Sequence, residues 1–131
     1  MNERVLLLDD EKDFVDAMAE RMRARGMEVT ATTSPSEALK RAREESYDAI
    51  VMDFMMPEID GLEALKELKK INPDLHVILL SGYVTMEKNI EAKNLGAMDL
   101  VEKPADIDTL TDKIREAHKE IGLLKKRPKG K

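Results

Sequence analysis

The sequence predicts an α/β fold: (βα)5, a doubly wound five-stranded parallel sheet in a three-layer α/β/α arrangement. Strand-like runs recur five times, each followed by a stretch with helical spacing. Val5–Leu8, Ala49–Met52 and Val77–Leu80 are continuous apolar runs rather than alternating ones, as in strands buried on both faces. Polar residues also stand where runs stop: Asp9 and Asp10 after the first, Asp53 after the third, Ser81 after the fourth and Lys103 just past the fifth. A parallel sheet brings such positions to one edge, where ligands of doubly wound sheets bind.

Residues 11–25 follow the first run with Phe14, Ala17, Met18 and Met22 at helical spacing, and Gly26 is the expected stop. Met27–Thr32 alternates like a half-exposed edge strand. Ser34-Pro35-Ser36-Glu37 supplies a cap, a proline at the first helical position and a capping-box glutamate for a helix ending near Glu45. Beyond Asp53 and the loop 54–59, Asp60-Gly-Leu-Glu63 reads as another capping box, with Leu62, Leu65 and Leu68 inward. Asn72-Pro73-Asp74 breaks that helix. A weaker helix over 84–95 stops at Gly96, and Ala97–Val101 is the last strand. From Asp106, the spacing of Ile107, Leu110, Ile114, Ala117 and Ile121 gives the clearest amphipathic helix.

At 131 residues the chain makes one domain, 1–122, with 123–131 as a basic tail or the start of a linker. Cysteine is absent, which rules out disulfides and thiolate metal sites and fits a reducing cytoplasm. The apolar core of MNERVLLLDD is too short for a signal peptide, and no run reaches transmembrane length. Residues 125–131 hold five of the 22 basic residues; without them 17 basic residues face 27 acidic ones. So acidic a body argues against direct nucleic-acid binding by this domain. With two tyrosines, two phenylalanines and no tryptophan, it also lacks a stacking platform for single strands. His76 and His118 read as surface residues, and Met18, Met22, Met52 and Met98 as core filling.

The sheet edge carries the chemistry. Asp9, Asp10 and Asp53 would form three carboxylates faced by one ammonium, Lys103. Two like charges ~4 Å apart repel by roughly 4 kcal/mol at an effective dielectric near 20, so such a cluster needs a cation or a proton. Hard oxygen donors without cysteine or nearby histidine favour Mg2+. A carboxylate beside a divalent cation can act as a nucleophile toward phosphorus, giving an acyl phosphate. The lysine and a small hydroxyl such as that of Ser81 can contact the phosphoryl oxygens. No water-activating base for rapid turnover is evident.

These pieces resemble the receiver domain of a two-component response regulator, over about residues 3–122. The resemblance is carried by Asp9-Asp10, by Asp53-Phe-Met-Met-Pro-Glu-Ile-Asp-Gly61, by Ser81-Gly82 and by Lys103-Pro104. It implies strand order 2-1-3-4-5, Asp53 as phosphoacceptor, Asp10 as a direct Mg2+ ligand, Asp9 as a further support for the ion, and a ligand oxygen from the Met55 carbonyl. Ser81 would be the switch hydroxyl, Lys103 the phosphoryl contact, and Pro104 would follow a cis peptide bond. The implied donor is a phosphohistidine on a sensor histidine kinase or phosphotransfer protein. The implied output surface, residues 84–118 on the fourth helix, fifth strand and fifth helix, would meet an effector or a second copy of the chain.

One position departs from the family. Three residues before the lysine, where Tyr or Phe is usual, stands Leu100. The expectation is that signalling relies instead on the 81–83 loop and the 84–95 helix, with Tyr83 as the mobile aromatic. The resemblance also implies that Met55 and Tyr83 would flank the path of attacking water and should lengthen the life of the acyl phosphate. Under this reading the chain is a switch and not an enzyme, apart from phosphoryl transfer to and from its own Asp53. The alternatives are a receiver-like interaction domain working without phosphate and an aspartyl-nucleophile phosphatase. The phosphatase of haloacid-dehalogenase type wants a second Asp where Met55 stands, and the phosphate-independent class usually lacks an acid or the lysine.

Overall fold

A computed structural model describes residues 3–56 and 59–125. The expectations for Pro57, Glu58 and the tail beyond Lys125 lie outside those residues. Five parallel strands, β1 (Arg4–Leu8), β2 (Glu28–Thr32), β3 (Ala49–Asp53), β4 (His76–Ser81) and β5 (Asp99–Glu102), form one sheet in the order β2-β1-β3-β4-β5. Between and after them run α1 (Lys12–Ala24), α2 (Pro35–Glu44), α3 (Gly61–Ile71), α4 (Met86–Asn94) and α5 (Ile107–Lys125). This is the expected doubly wound α/β fold.

Period-two alternation divides the strands between two cores. Leu6, Leu8, Ile50, Met52, Leu79 and Leu100 join Ala38, Ala64, Leu65, Leu68 and Ala92 from α2, α3 and α4. Val5, Leu7, Ala49, Val51, Ile78 and Leu80 meet Val15, Met18, Met22, Leu110 and Ile114 from α1 and α5. Each fully buried aliphatic side chain contributes about 1.5–3 kcal/mol, so the central strands fix the layers. Edge strand β2 stays half exposed, as its sequence predicts.

Helix ends follow the expected punctuation, with corrections. Gly26 and Gly96 take φ of 87° and 100°, the left-handed conformation that closes α1 and α4. The Ser34 capping box forms only in half, and Asp60 caps α3 through the second helical amide rather than the third. Ser34 Oγ accepts from the Glu37 amide at 3.3 Å, but the Ser34 amide donates to Thr32 Oγ1 and the Glu37 carboxylate pairs with Arg41. Asp60 Oδ1 accepts from the Leu62 amide, while Glu63 turns to Lys66. The buried stripe of α1 is Val15, Met18, Ala19 and Met22, with Phe14 at its edge and Ala17 exposed, so the inward face is turned from the expected one. Strand β5 begins two residues later than predicted, because Gly96 and Ala97 close α4 with bonds to Lys93 and Ala92.

Both histidines are partly buried rather than on the surface. His76 Nε2 lies 2.8 Å from Glu120 Oε2 and His118 Nδ1 lies 2.9 Å from Asp48 Oδ1, contacts made by α5 as it crosses the start of the sheet.

Candidate functional site

The carboxyl ends of β1, β3 and β4 and the loop after β5 converge as the sequence predicts. Asp9 directly follows β1, is fully buried, and accepts from the Glu11 amide through Oδ1 at 3.0 Å. Asp53 closes β3 and is 7% exposed. Its Oδ1 accepts from the Met55 amide at 3.4 Å. Asp10 is exposed. One carboxylate oxygen from each of the three lies within 4.8 Å of the others.

Lys103 reaches this cluster from beyond β5. Its Nζ donates to Asp9 Oδ2 at 2.9 Å and lies 3.6 Å from Asp53 Oδ1. The Lys103 amide donates to the Ser81 carbonyl at 2.7 Å, which ties the lysine to the end of β4. The Lys103–Pro104 peptide is cis. A fourth neighbour was not foreseen: the Phe14 ring, whose centroid is 4.8 Å from Lys103 Nζ. In sequence Phe14 is one apolar residue of a helical stripe, and nothing in the spacing marks it as facing a cation.

Ser81 is buried, and its hydroxyl is already engaged. Oγ donates to the Tyr83 carbonyl at 2.9 Å and accepts from the Tyr83 amide at 3.2 Å. Lys88 Nζ donates to the same carbonyl at 3.2 Å and sits 5.5 Å from the Phe54 ring centroid and 5.6 Å from that of Tyr83. Met55 and Tyr83 are exposed, at 66% and 69%. Leu100 is buried with Leu79 and Ala92.

Burial pushes the Asp53 carboxyl above its ordinary range, the charge of Asp9 adds to this, and Lys103 and the Met55 amide oppose it. Burial alone would lower the Lys103 ammonium, but its hydrogen bond to Asp9 and the charges of Asp9 and Asp53 raise it. Ionised Asp53 therefore costs the folded state: the stability of the protonated form is lost as pH rises through the raised folded value. In chelator, Asp53→Asn is expected to stabilise the fold at pH 7 by about 1 kcal/mol, read as a higher thermal midpoint. The gain should shrink as pH falls into the range where Asp53 takes a proton. An unchanged difference from pH 7 to pH 4 would contradict this account.

All-oxygen donors with excess negative charge suit a hard divalent cation. A doubly wound sheet with this acidic, lysine-faced pocket at its carboxyl edge defines an α/β domain of the receiver class. The family model described as response regulator receiver domain matches residues 5–115, and the chain belongs to that family. Sporulation initiation phosphotransferase F of Bacillus subtilis is 30% identical over 116 residues, covering 88% of this chain and 94% of that protein. The solved receiver domain of Francisella response regulator 1452 is 34% identical with a TM-score of 0.86, covering 92% of this chain and 99% of that one. A response regulator from Burkholderia pseudomallei, solved with a phosphorylated aspartic acid, calcium ion and citrate, is 26% identical with a TM-score of 0.79, covering 93% and 74%. The first curated relatives are longer: the transcriptional regulatory protein ZraR of Escherichia coli K12 is 33% identical over 113 residues, 86% of this chain, which spans 26% of its length.

Proposed function

We propose that the domain is a phosphorylation-activated switch in which Asp53 accepts a phosphoryl group from a phosphohistidine in the cytoplasm. The juxtaposition of Asp9, Asp10 and Asp53 with Lys103 carries this reading. The phosphorylated aspartic acid and calcium ion of the Burkholderia relative support it by kinship. An Asp53 carboxylate oxygen forms a bond to phosphorus as the bond from phosphorus to the donor nitrogen breaks, and the departing imidazole takes up a proton. Asp10 and Asp53, supported by Asp9 and the Met55 carbonyl, would hold Mg2+, which when bound offsets charge on the phosphoryl oxygens. Lys103 contacts a phosphoryl oxygen, and Ser81 donates to another once its proton leaves the Tyr83 carbonyl. That release loosens the turn on which Lys88 of α4 also pulls. It gives a route to the 84–118 surface that does not use an aromatic at Leu100. The partners on this reading are a sensor histidine kinase or phosphotransfer protein upstream, and an effector or a second copy of the chain at that surface.

The test is intact mass after incubation with acetyl phosphate and Mg2+. One phosphoryl group is expected on the parent, none without Mg2+ and none on Asp53→Ala. A parent that binds Mg2+ yet gains no mass would favour the phosphate-independent interaction domain. Met55 lies two residues after Asp53 and Tyr83 two after Ser81, and the exposure of both side chains supports a role in shielding the acyl phosphate. Met55→Asn is therefore expected to shorten its lifetime by about threefold or more, since a polar side chain there can orient water. Equal decay rates would refute the shielding role.

A further inference from the structure

We propose that Phe14 is a positioning residue for Lys103: its ring face holds the ammonium where it bridges Asp9 and Asp53. The inference rests on the phosphoryl-switch reading and adds a residue to it. Lys103 Nζ has three close neighbours: Asp9 Oδ2 at 2.9 Å, Asp53 Oδ1 at 3.6 Å and the Phe14 ring centroid at 4.8 Å. Lysine is a point charge on a flexible four-carbon stem, so two carboxylates alone do not fix where it rests. Asp9 is the nearer and more buried of the two and would draw the ammonium away from the phosphoacceptor. An aromatic face is negative and attracts a cation within about 6 Å, and the attraction strengthens where water is excluded. Lys103 meets that condition, its side chain being 20% exposed beside a buried carboxylate.

The buried stripe of α1 is built from Val15, Met18, Ala19 and Met22, and Phe14 packs half-buried against the margin of that core. A purely apolar role would be filled as well by leucine. An electrostatic role needs a ring.

Phe14→Leu keeps apolar bulk and removes the ring face; Phe14→Tyr keeps the face. Phosphorylation by acetyl phosphate at saturating Mg2+, followed by intact mass, is expected to slow five- to tenfold in Phe14→Leu, in the limiting rate rather than in half-saturation by donor. Phe14→Tyr should stay within about twofold of the parent. Mg2+ affinity should be the same in all three, because none of the three side chains at position 14 adds or removes a carboxylate that would hold the ion. Without Mg2+, the Lys103 ε-methylene protons should be shifted upfield by the ring in the parent and in Phe14→Tyr, and should return to the ordinary lysine position in Phe14→Leu. A parental rate in Phe14→Leu, an equal loss in Phe14→Tyr, or a parallel fall in Mg2+ affinity would each overturn the role. A parent that accepts no phosphoryl group overturns the switch reading and this role with it. A parent that accepts one while Phe14→Leu matches it overturns the role alone.

Discussion

Gly61→Ala is expected to destabilise the domain by about 3 kcal/mol and to slow phosphorylation of Asp53. A Cβ at position 61 would collide with the Phe54 carbonyl oxygen and lie 2.8 Å from the Phe54 Cα, both backbone atoms that cannot swing aside. The same carbonyl accepts the Gly61 amide at 2.9 Å, so opening the gap also strains a hydrogen bond. Alanine would otherwise favour the first turn of α3 by up to about 1 kcal/mol; the clash outweighs it. Phe54 directly follows Asp53, and its amide donates to the Leu80 carbonyl at 2.7 Å. Any retreat of Phe54 therefore displaces the carboxylate at the end of β3. Gly82 supplies the control, since a Cβ there meets nothing within 4 Å. Gly82→Ala should leave the unfolding free energy within about 0.5 kcal/mol of the parent, with a near-parental thermal midpoint. Equal midpoints for the two variants would show that the turn after β3 yields more easily than its geometry implies.

What the sequence made legible follows from where its signals are strong. Val5–Leu8, Ala49–Met52 and Val77–Leu80 have the pattern of strands covered on both faces, and a parallel sheet brings the residues ending them to one edge. The carboxylate cluster and its lysine were readable for that reason. Less legible was everything decided by competition among neighbours. Glu37 and Glu63 fit the capping-box spacing, yet each finds a cation one turn along its own helix. His76 and His118 looked like surface residues because Glu120 and Asp48, 44 and 70 positions away, could not be paired with them without the fold. Phe14 was hidden for a related reason. Its partner Lys103 comes from the far end of the chain, and helical spacing reports only how far a residue points toward the sheet, not which charge waits beside it. Neither Ser81 nor Tyr83 announced that the hydroxyl is held within its own turn, since that depends on the backbone path after β4.

Lys103→Met should act on stability in the sense opposite to Asp53→Asn, although both change one charge in one cluster. Methionine keeps most of the stem and removes the ammonium. Asp9, fully buried, then loses a 2.9 Å charge-assisted hydrogen bond, and Asp53 loses the cation 3.6 Å away. Breaking a buried pair by deleting one partner costs about 3–5 kcal/mol, and the 20% exposure of Lys103 places this case near 3. Unfolding in chelator by urea at pH 7 reads the loss directly. Mg2+ should return part of it, because a cation binding only the folded form stabilises by RT ln(1 + [L]/Kd), and a more negative pocket binds it more tightly. Phosphorylation should still fall by about 100-fold even with Mg2+ saturating, since no ammonium faces the charge that develops on the phosphoryl oxygens. The two readouts separate the two tasks of Lys103. Stability restored by Mg2+ with phosphorylation still impaired assigns the ammonium to the reaction as well as to the fold. Restoration of both would mean that Lys103 only neutralises the carboxylates, a task any cation in the pocket can perform.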